Sequence, residues 1–136
     1  MDLVNKSKYN IILGSGSSRR RELLGMTGIN FSVISIPVDE SFPDSLKGSE
    51  ISEYIVKNKS DAFNKSIKKN EIIITADTLV WFENKCLGKP KDKDEAKYML
   101  KLFAGKSHDV ITSVGFLTMN NFKILTESTT VTYKDL

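Results

Sequence analysis

Cysteine and histidine each occur once in the 136 residues. A lone Cys86 cannot close an internal disulfide, and no CxxC or Cys/His cluster offers a zinc site. His108 standing alone excludes a multi-histidine metal centre. No stretch approaches the roughly 18 consecutive apolar residues that a membrane-spanning helix requires. Met1 to Asn10 lacks the apolar core of a secretory signal. Repeats, low-complexity tracts and a linker are missing too, and there are only three prolines. Lys and Arg number 20 against 17 acidic residues, a formal charge of +3. That balance excludes an acidic tail and a polybasic nucleic-acid footprint. A single domain over residues 1–136 is expected, cytoplasmic, engaging neither nucleic acid nor membrane. Its 40% hydrophobic and 27% charged residues are those of an ordinary globular chain.

What is there alternates between strand and helix patterns. Tyr9 to Leu13 reads as a buried strand entering the loop Gly14–Ser15–Gly16–Ser17–Ser18. Arg19 to Thr27 reads as a helix capped by Ser17 or Ser18, with Leu23 and Leu24 inward and Gly28 as its stop. Phe31 to Ile36 is β-rich and closed by Pro37. Ser49 to Lys69 fits a helix with Ile51, Tyr54, Ile55, Ala62, Phe63 and Ile67 on one face. Ile72 to Ala76 is the most strand-like segment, and Leu79 to Phe82 suggests another strand. Asp92 and Glu95 have capping-box spacing for a helix to Ala104, ended by Gly105, with Ala96, Leu100 and Phe103 on one face. His108 to Leu117 and Phe122 to Tyr133 read as strands joined by a turn at Met119–Asn120–Asn121. The fold class is α/β, a mixed twisted sheet with flanking helices.

Few residues qualify for chemistry. A strand feeding a Gly/Ser loop at a helix start presents backbone N–H groups and a positive dipole end, both suited to phosphate. Arg19, Arg20 and Arg21 stand at the end of the helix where cations are disfavoured, so an anion is wanted there; a solvated basic helix start is the other reading. The segment matches neither GxxxxGK[ST] nor GxGxxG. Asp77 directly follows a buried strand, the place where open α/β sheets bind ligands, although a turn residue would look the same. Lys59 falls on the apolar face of its helix between Ile55 and Phe63, where it either snorkels or serves a site. Lys89 sits between Gly88 and Pro90, stiffened toward a phosphate or merely on the surface. Asp39–Glu40 reads as solvation or as part of an acidic site. Cys86 is expected to be inert, and His108 to be a strand or rim residue with one hydrogen bond.

Leu13–Gly14–Ser15–Gly16–Ser17–Ser18–Arg19–Arg20–Arg21–Glu22–Leu23–Leu24 resembles the N-terminal signature of the Maf proteins, Maf/Ham1-type nucleoside triphosphate pyrophosphatases. Ser18 stands where that signature has proline. Val38–Asp39–Glu40, Lys59, Ala76–Asp77–Thr78, Leu87–Gly88–Lys89–Pro90 and the run from Gly105 to Thr112 follow in the family's order. The resemblance implies the Maf/Ham1 (ITPase-like) fold and hydrolysis of a nucleoside triphosphate to monophosphate and pyrophosphate, with Mg or Mn. It implies Asp77 as proton acceptor, Glu40 and Asp77 at the metal, and Ser15, Ser17, Arg19, Arg20, Lys59, Thr78 and Lys89 toward the substrate. Thr78 after Ala76–Asp77 resembles the branch acting on dTTP and UTP. The family's pattern runs on past residue 136, which implies that the last elements are missing and that an exposed edge favours a homodimer. A nucleotide-binding module without turnover is the alternative.

Overall fold

In a computed structural model the described residues are 9–88 and 90–135. Glu71–Phe82 forms one twelve-residue strand, β3, where the sequence suggests two. Its antiparallel partner β5 (Ser107–Leu117) pairs with it without a break from Ile73 to Trp81. That ladder overrides the poor strand preference of aspartate, so Asp77 lies in mid-strand and not at a strand end. β6 (Phe122–Thr132) pairs antiparallel along the whole of β5, after a tight turn in which the Thr118 N–H donates to the Asn121 carbonyl at 2.9 Å.

The other side of β3 is shared. β1 (Asn10–Leu13) runs parallel to Glu71–Ile74, and β4 (Lys85–Leu87) runs antiparallel to Val80–Phe82. Glu83 and Asn84 join β3 to β4 with φ of 49° and 62°, the paired positive values of a two-residue hairpin. Between β1 and β4, from residue 75 to residue 79, that edge of β3 has no strand beside it among the described residues. β2 (Ser32–Val33) adds parallel to β1 and is shorter than the expected Phe31–Ile36; β1 ends at Leu13, so nothing past Val33 has a register partner. The sheet order is therefore β2-β1-β3-β5-β6, with β4 against the far end of β3.

Helix α1 (Ser18–Gly25) follows β1 and has no buried residue; Leu23 is 47% exposed, against the inward placement expected of it. A run of Ser, three Arg and Glu leaves no apolar stripe for α1 to bury. α2 (Ser49–Asp61) crosses one face of the sheet and is shorter than the periodicity suggests, because residues 62–66 tighten into turns. Its buried face is Ile51, Ser52, Ile55, Val56 and Ser60, while Tyr54 is 39% exposed. The small serines let α2 approach closely, and Ser52 Oγ bonds Ser113 Oγ at 2.7 Å as Ser60 Oγ bonds Thr75 Oγ1 at 2.7 Å. These hydroxyls leave no unpaired polar group behind. Gly115 makes room in the same way: a Cβ there would stand 2.6 Å from Val56 Cγ1 and 2.9 Å from Thr75 Oγ1.

α3 (Lys93–Phe103) is capped by Asp92, whose carboxylate accepts from the Glu95 N–H at 2.8 Å. It buries Phe103 and exposes Leu100, contrary to the expected face. Phe103 stacks on His108 at 4.2 Å and meets Phe82 and Tyr133 edge-on, an aromatic cluster that fastens α3 to the end of the sheet. The core lies between α2 and the sheet, in two patches: Ile12, Phe63, Ile73 and Leu117, and Ile51, Ile55, Leu79 and Ile111.

Candidate functional site

The chain leaves β1 at the point where β3 loses its neighbour. The Gly14 N–H donates to the Ile74 carbonyl at 2.8 Å, and the backbone then turns away from the sheet. A side chain at Gly14 would stand 2.8 Å from Phe63 Cε2, so glycine is required by packing. Ser15 Oγ accepts from the Ser17 N–H at 3.1 Å, and Ser17 Oγ caps α1 by accepting from the Arg20 N–H at 3.2 Å. Both serines thus shape the loop. Among the three arginines the roles divide. Arg19 pairs with Glu22 at 3.6 Å in solvent, Arg21 is exposed, and Arg20 turns to the sheet, where Nη2 donates to Thr78 Oγ1 at 3.5 Å.

Lys59 approaches the same gap from α2. Four residues from both Ile55 and Phe63, its stem is packed among apolar groups and its head projects past them to the free edge of β3. There Nζ donates to the Ala76 carbonyl at 3.0 Å. On the gap side of β3 that carbonyl has no neighbouring strand, and the ammonium supplies the missing donor. Asp77 Oδ1 and Glu40 Oε1 each stand 3.6 Å from Lys59 Nζ. Asp77 is 7% exposed, and burial pushes its carboxyl above the ordinary range, with the Lys59 charge opposing and the Glu40 charge assisting. Asp39, next to Glu40 in the chain, is spent locally on an accepted bond from the Ser41 N–H at 2.9 Å, which holds its carboxyl below the ordinary range. Of the acidic pair, Glu40 alone reaches the site.

Thr78 points to the opposite sheet face from Asp77, so the strand presents its acid on one side and its hydroxyl on the other. Thr78 Oγ1 shares a hydrogen bond with Thr112 Oγ1 at 3.0 Å. Thr112 carries no role in the sequence reading, since its proximity depends on a β3/β5 register that local sequence does not reveal. The structure thus gathers Arg20, Glu40, Lys59, Asp77 and Thr78 along one stretch of strand edge, with Ser15 and Ser17 building the adjoining loop and Arg19 facing away. Lys89 lies outside the described residues. His108 is a strand residue of β5, one of the two expected placements, but it is buried under Phe103 rather than on the rim, and its Nδ1 has no hydrogen-bond partner among the described residues. Burial and the Asp77 charge push the Cys86 thiol up, which disfavours a nucleophilic thiolate.

A divalent ion fits this donor set in one respect: two carboxylates from separate segments converge on a single cationic position, which is hard-oxygen chemistry. Among the described residues no three His, Cys, Asp or Glu side chains come together. The remaining ligands of such an ion would then be phosphate and water, the usual arrangement for Mg in nucleotide sites.

This sheet, split on one edge of its longest strand, belongs to a known class. It matches the Ham1 protein of Staphylococcus aureus with a TM-score of 0.62 at 15% identity, over 89% of this chain and 70% of that one. A nucleoside-triphosphatase, dITP/XTP pyrophosphatase, from Mycobacterium abscessus matches at 0.59 and 11% identity, over 89% and 72%. At such identities the likeness is one of fold. The chain itself belongs to the Maf-like protein family, whose profile covers residues 10–136. A dTTP/UTP pyrophosphatase of Flavobacterium johnsoniae is 43% identical over 95% of this chain and 66% of its own length. One from Bacteroides thetaiotaomicron is 44% identical over 96% and 68%. The chain thus spans about two thirds of the length of these relatives.

Proposed function

We propose that this chain binds a pyrimidine nucleoside triphosphate, dTTP or UTP, at the free edge of β3 and hydrolyses it to the monophosphate and pyrophosphate. The observation that carries this reading is the convergence of Arg20, Lys59, Glu40 and Asp77 on five residues of unpaired strand edge. A triphosphate brings close to four negative charges, and two cations beside a glycine-serine loop at a helix N-terminus suit it. The names borne by relatives at 43% and 44% identity support the choice of dTTP and UTP. Residues 1–136 act as one domain in this reading.

Each residue has a defined task. Arg20 donates to phosphoryl oxygens from the first turn of α1. Lys59, anchored on the Ala76 carbonyl, supplies a second positive charge close to the acid. Asp77 accepts the proton of the attacking water, a task for which burial makes its carboxylate more basic than an exposed one. Ser15, Ser17 and Thr78 hold loop and substrate in register, and Lys89 is assigned to the phosphates. Glu40 and Asp77 would hold the divalent ion, Mg or Mn, which when bound neutralises charge gathering on the phosphates. A metal bound to Asp77 would lower the basicity of its carboxylate, so the base role would be strongest where Glu40 carries more of the metal coordination.

The test is pyrophosphate release from dTTP and UTP, with CTP and GTP as comparators, in Mg and then in excess chelator. Metal-dependent release favouring dTTP or UTP is the expected result. Nucleotide binding by calorimetry without any release would overturn catalysis and leave a nucleotide-binding module.

A further inference from the structure

Lys59 stands where a metal would be expected. Its ammonium has three oxygens around it: the Ala76 carbonyl at 3.0 Å, and Glu40 Oε1 and Asp77 Oδ1 at 3.6 Å each. Only the carbonyl contact is within the range of a formed hydrogen bond; charge-assisted bonds to carboxylate are closer to 2.7–2.9 Å. The two acids are thus held electrostatically and loosely by one monovalent cation. Without a cation between them, two carboxylates would repel each other, and one of them, Asp77, is nearly buried. The lysine stem is packed, with 17% of the side chain exposed, but its head lies at the open strand edge, where rotation about the terminal bonds lets the ammonium move off the acids.

We propose that Lys59 is the resident counter-ion of the Glu40–Asp77 pair and competes with the divalent ion for it. In the metal-free state the ammonium keeps the two carboxylates together. A metal bound there would displace the ammonium toward the phosphates, so one lysine would neutralise the acids in the metal-free state and bind substrate in the loaded one. This inference rests on the nucleotide reading above, but its central measurement needs no nucleotide.

The competition gives effects of opposite sign. Lys59→Met keeps most of the stem and removes the charge. Mn affinity of the nucleotide-free protein, followed by electron paramagnetic resonance of free Mn, should rise about threefold or more, while affinity for dTTP in Mg falls at least tenfold. Lys59→Gln, which can still donate to the Ala76 carbonyl, should show the same rise. Adding Glu40→Gln to either variant should abolish it. Unchanged Mn affinity in a folded variant would make Lys59 a phosphate ligand only. A fall would make it a structural support of the acids. Either result overturns the proposal.

Should both variants fail to fold, wild type carries the test. On Mg titration without nucleotide, the Lys59 side-chain resonance should move in heteronuclear NMR while that of exposed Lys57 stays; a still Lys59 signal at Mg saturation refutes the competition. Pyrophosphate release by wild type is scored separately. Release without the Mn effect sinks this inference alone, and a Mn effect without release sinks only the enzymatic reading.

Discussion

Asp77 is the residue at which stability and function pull apart. It is buried in mid-strand, and burial outweighs Lys59 in setting its proton affinity. The folded protein therefore binds the Asp77 proton more tightly than the unfolded chain does. By linkage, the contribution of this group is fully present below the unfolded value of about 4, and it is lost as pH rises through the higher folded value. At neutral pH the ionised acid is a liability to the fold. Asp77→Asn removes it while Lys59 keeps Glu40 and the Ala76 carbonyl as partners. The variant should melt at or above the wild-type temperature at pH 7, and the difference should shrink as pH falls toward about 4. Turnover should drop by about 100-fold or more, the scale of a lost general base. Thermal melts over that range, beside pyrophosphate release, check both halves; a variant less stable than wild type at pH 7 would mean that the Asp77–Lys59 attraction outweighs burial.

Among elements, α2 is the one that aims the site, because it carries Lys59 and its distance from the sheet is set by small residues. Ser52, Ser60 and Gly115 permit the close approach, and the Ser60–Thr75 bond registers it one residue from Lys59. Gly115→Ala puts a methyl 2.6 Å from Val56 Cγ1 and so pushes the helix outward. Overpacking of this kind costs about 1–3 kcal/mol. Nucleotide affinity should weaken with it, although residue 115 touches none of the site residues. Denaturant unfolding and dTTP titration test this; lost stability with unchanged affinity would show that Lys59 is aimed independently of α2.

The same elements show what the sequence made legible. Cap and stop residues placed α1 and α3, apolar periodicity placed α2, and the β-branched runs placed the β5–β6 hairpin, all of them local signals. Local signals also marked the glycine-serine loop and the misplaced Lys59. They failed where pairing decides. β3 runs unbroken through Asp77 because β5 holds it, β4 forms because Glu83 and Asn84 accept positive φ, and Thr112 meets Thr78 only through cross-strand register. The helix faces erred at Tyr54 and Leu100 for a related reason. Hydrophobicity alone named them inward, whereas in α2 buried positions went to Ser52 and Ser60, bonded to Ser113 and Thr75, and in α3 the buried contact with the sheet is made by Phe103 alone.

At the scale of the whole molecule, the site exists because one sheet edge is left unfinished. β3 is bonded to β5 from Ile73 to Trp81, but on its other side the ladder to β1 stops at Ile74 and that to β4 begins at Val80. In a strand, the N–H and C=O groups of alternate residues face opposite neighbours. The Ile74 carbonyl bonds Gly14 and the Ala76 carbonyl bonds Lys59, so Ala76 and Thr78 direct their backbone groups into the gap. Thr75, Asp77 and Leu79 direct theirs to β5. Backbone amides in the middle of a sheet are ordinarily among the last to exchange, because opening them requires near-global unfolding. Here protection should alternate along the strand. The amides of Ala76 and Thr78 should exchange about tenfold or more faster than those of Thr75, Asp77 and Leu79, since local access replaces global opening. Nucleotide bound across the gap with its metal should slow Ala76 and Thr78 and leave the β5-facing set unchanged. Residue-resolved hydrogen exchange with and without dTTP and Mg reads both effects. Uniform protection from Thr75 to Leu79 would show that the gap is closed in solution, and slowing confined to the β5-facing amides would place the nucleotide away from this edge.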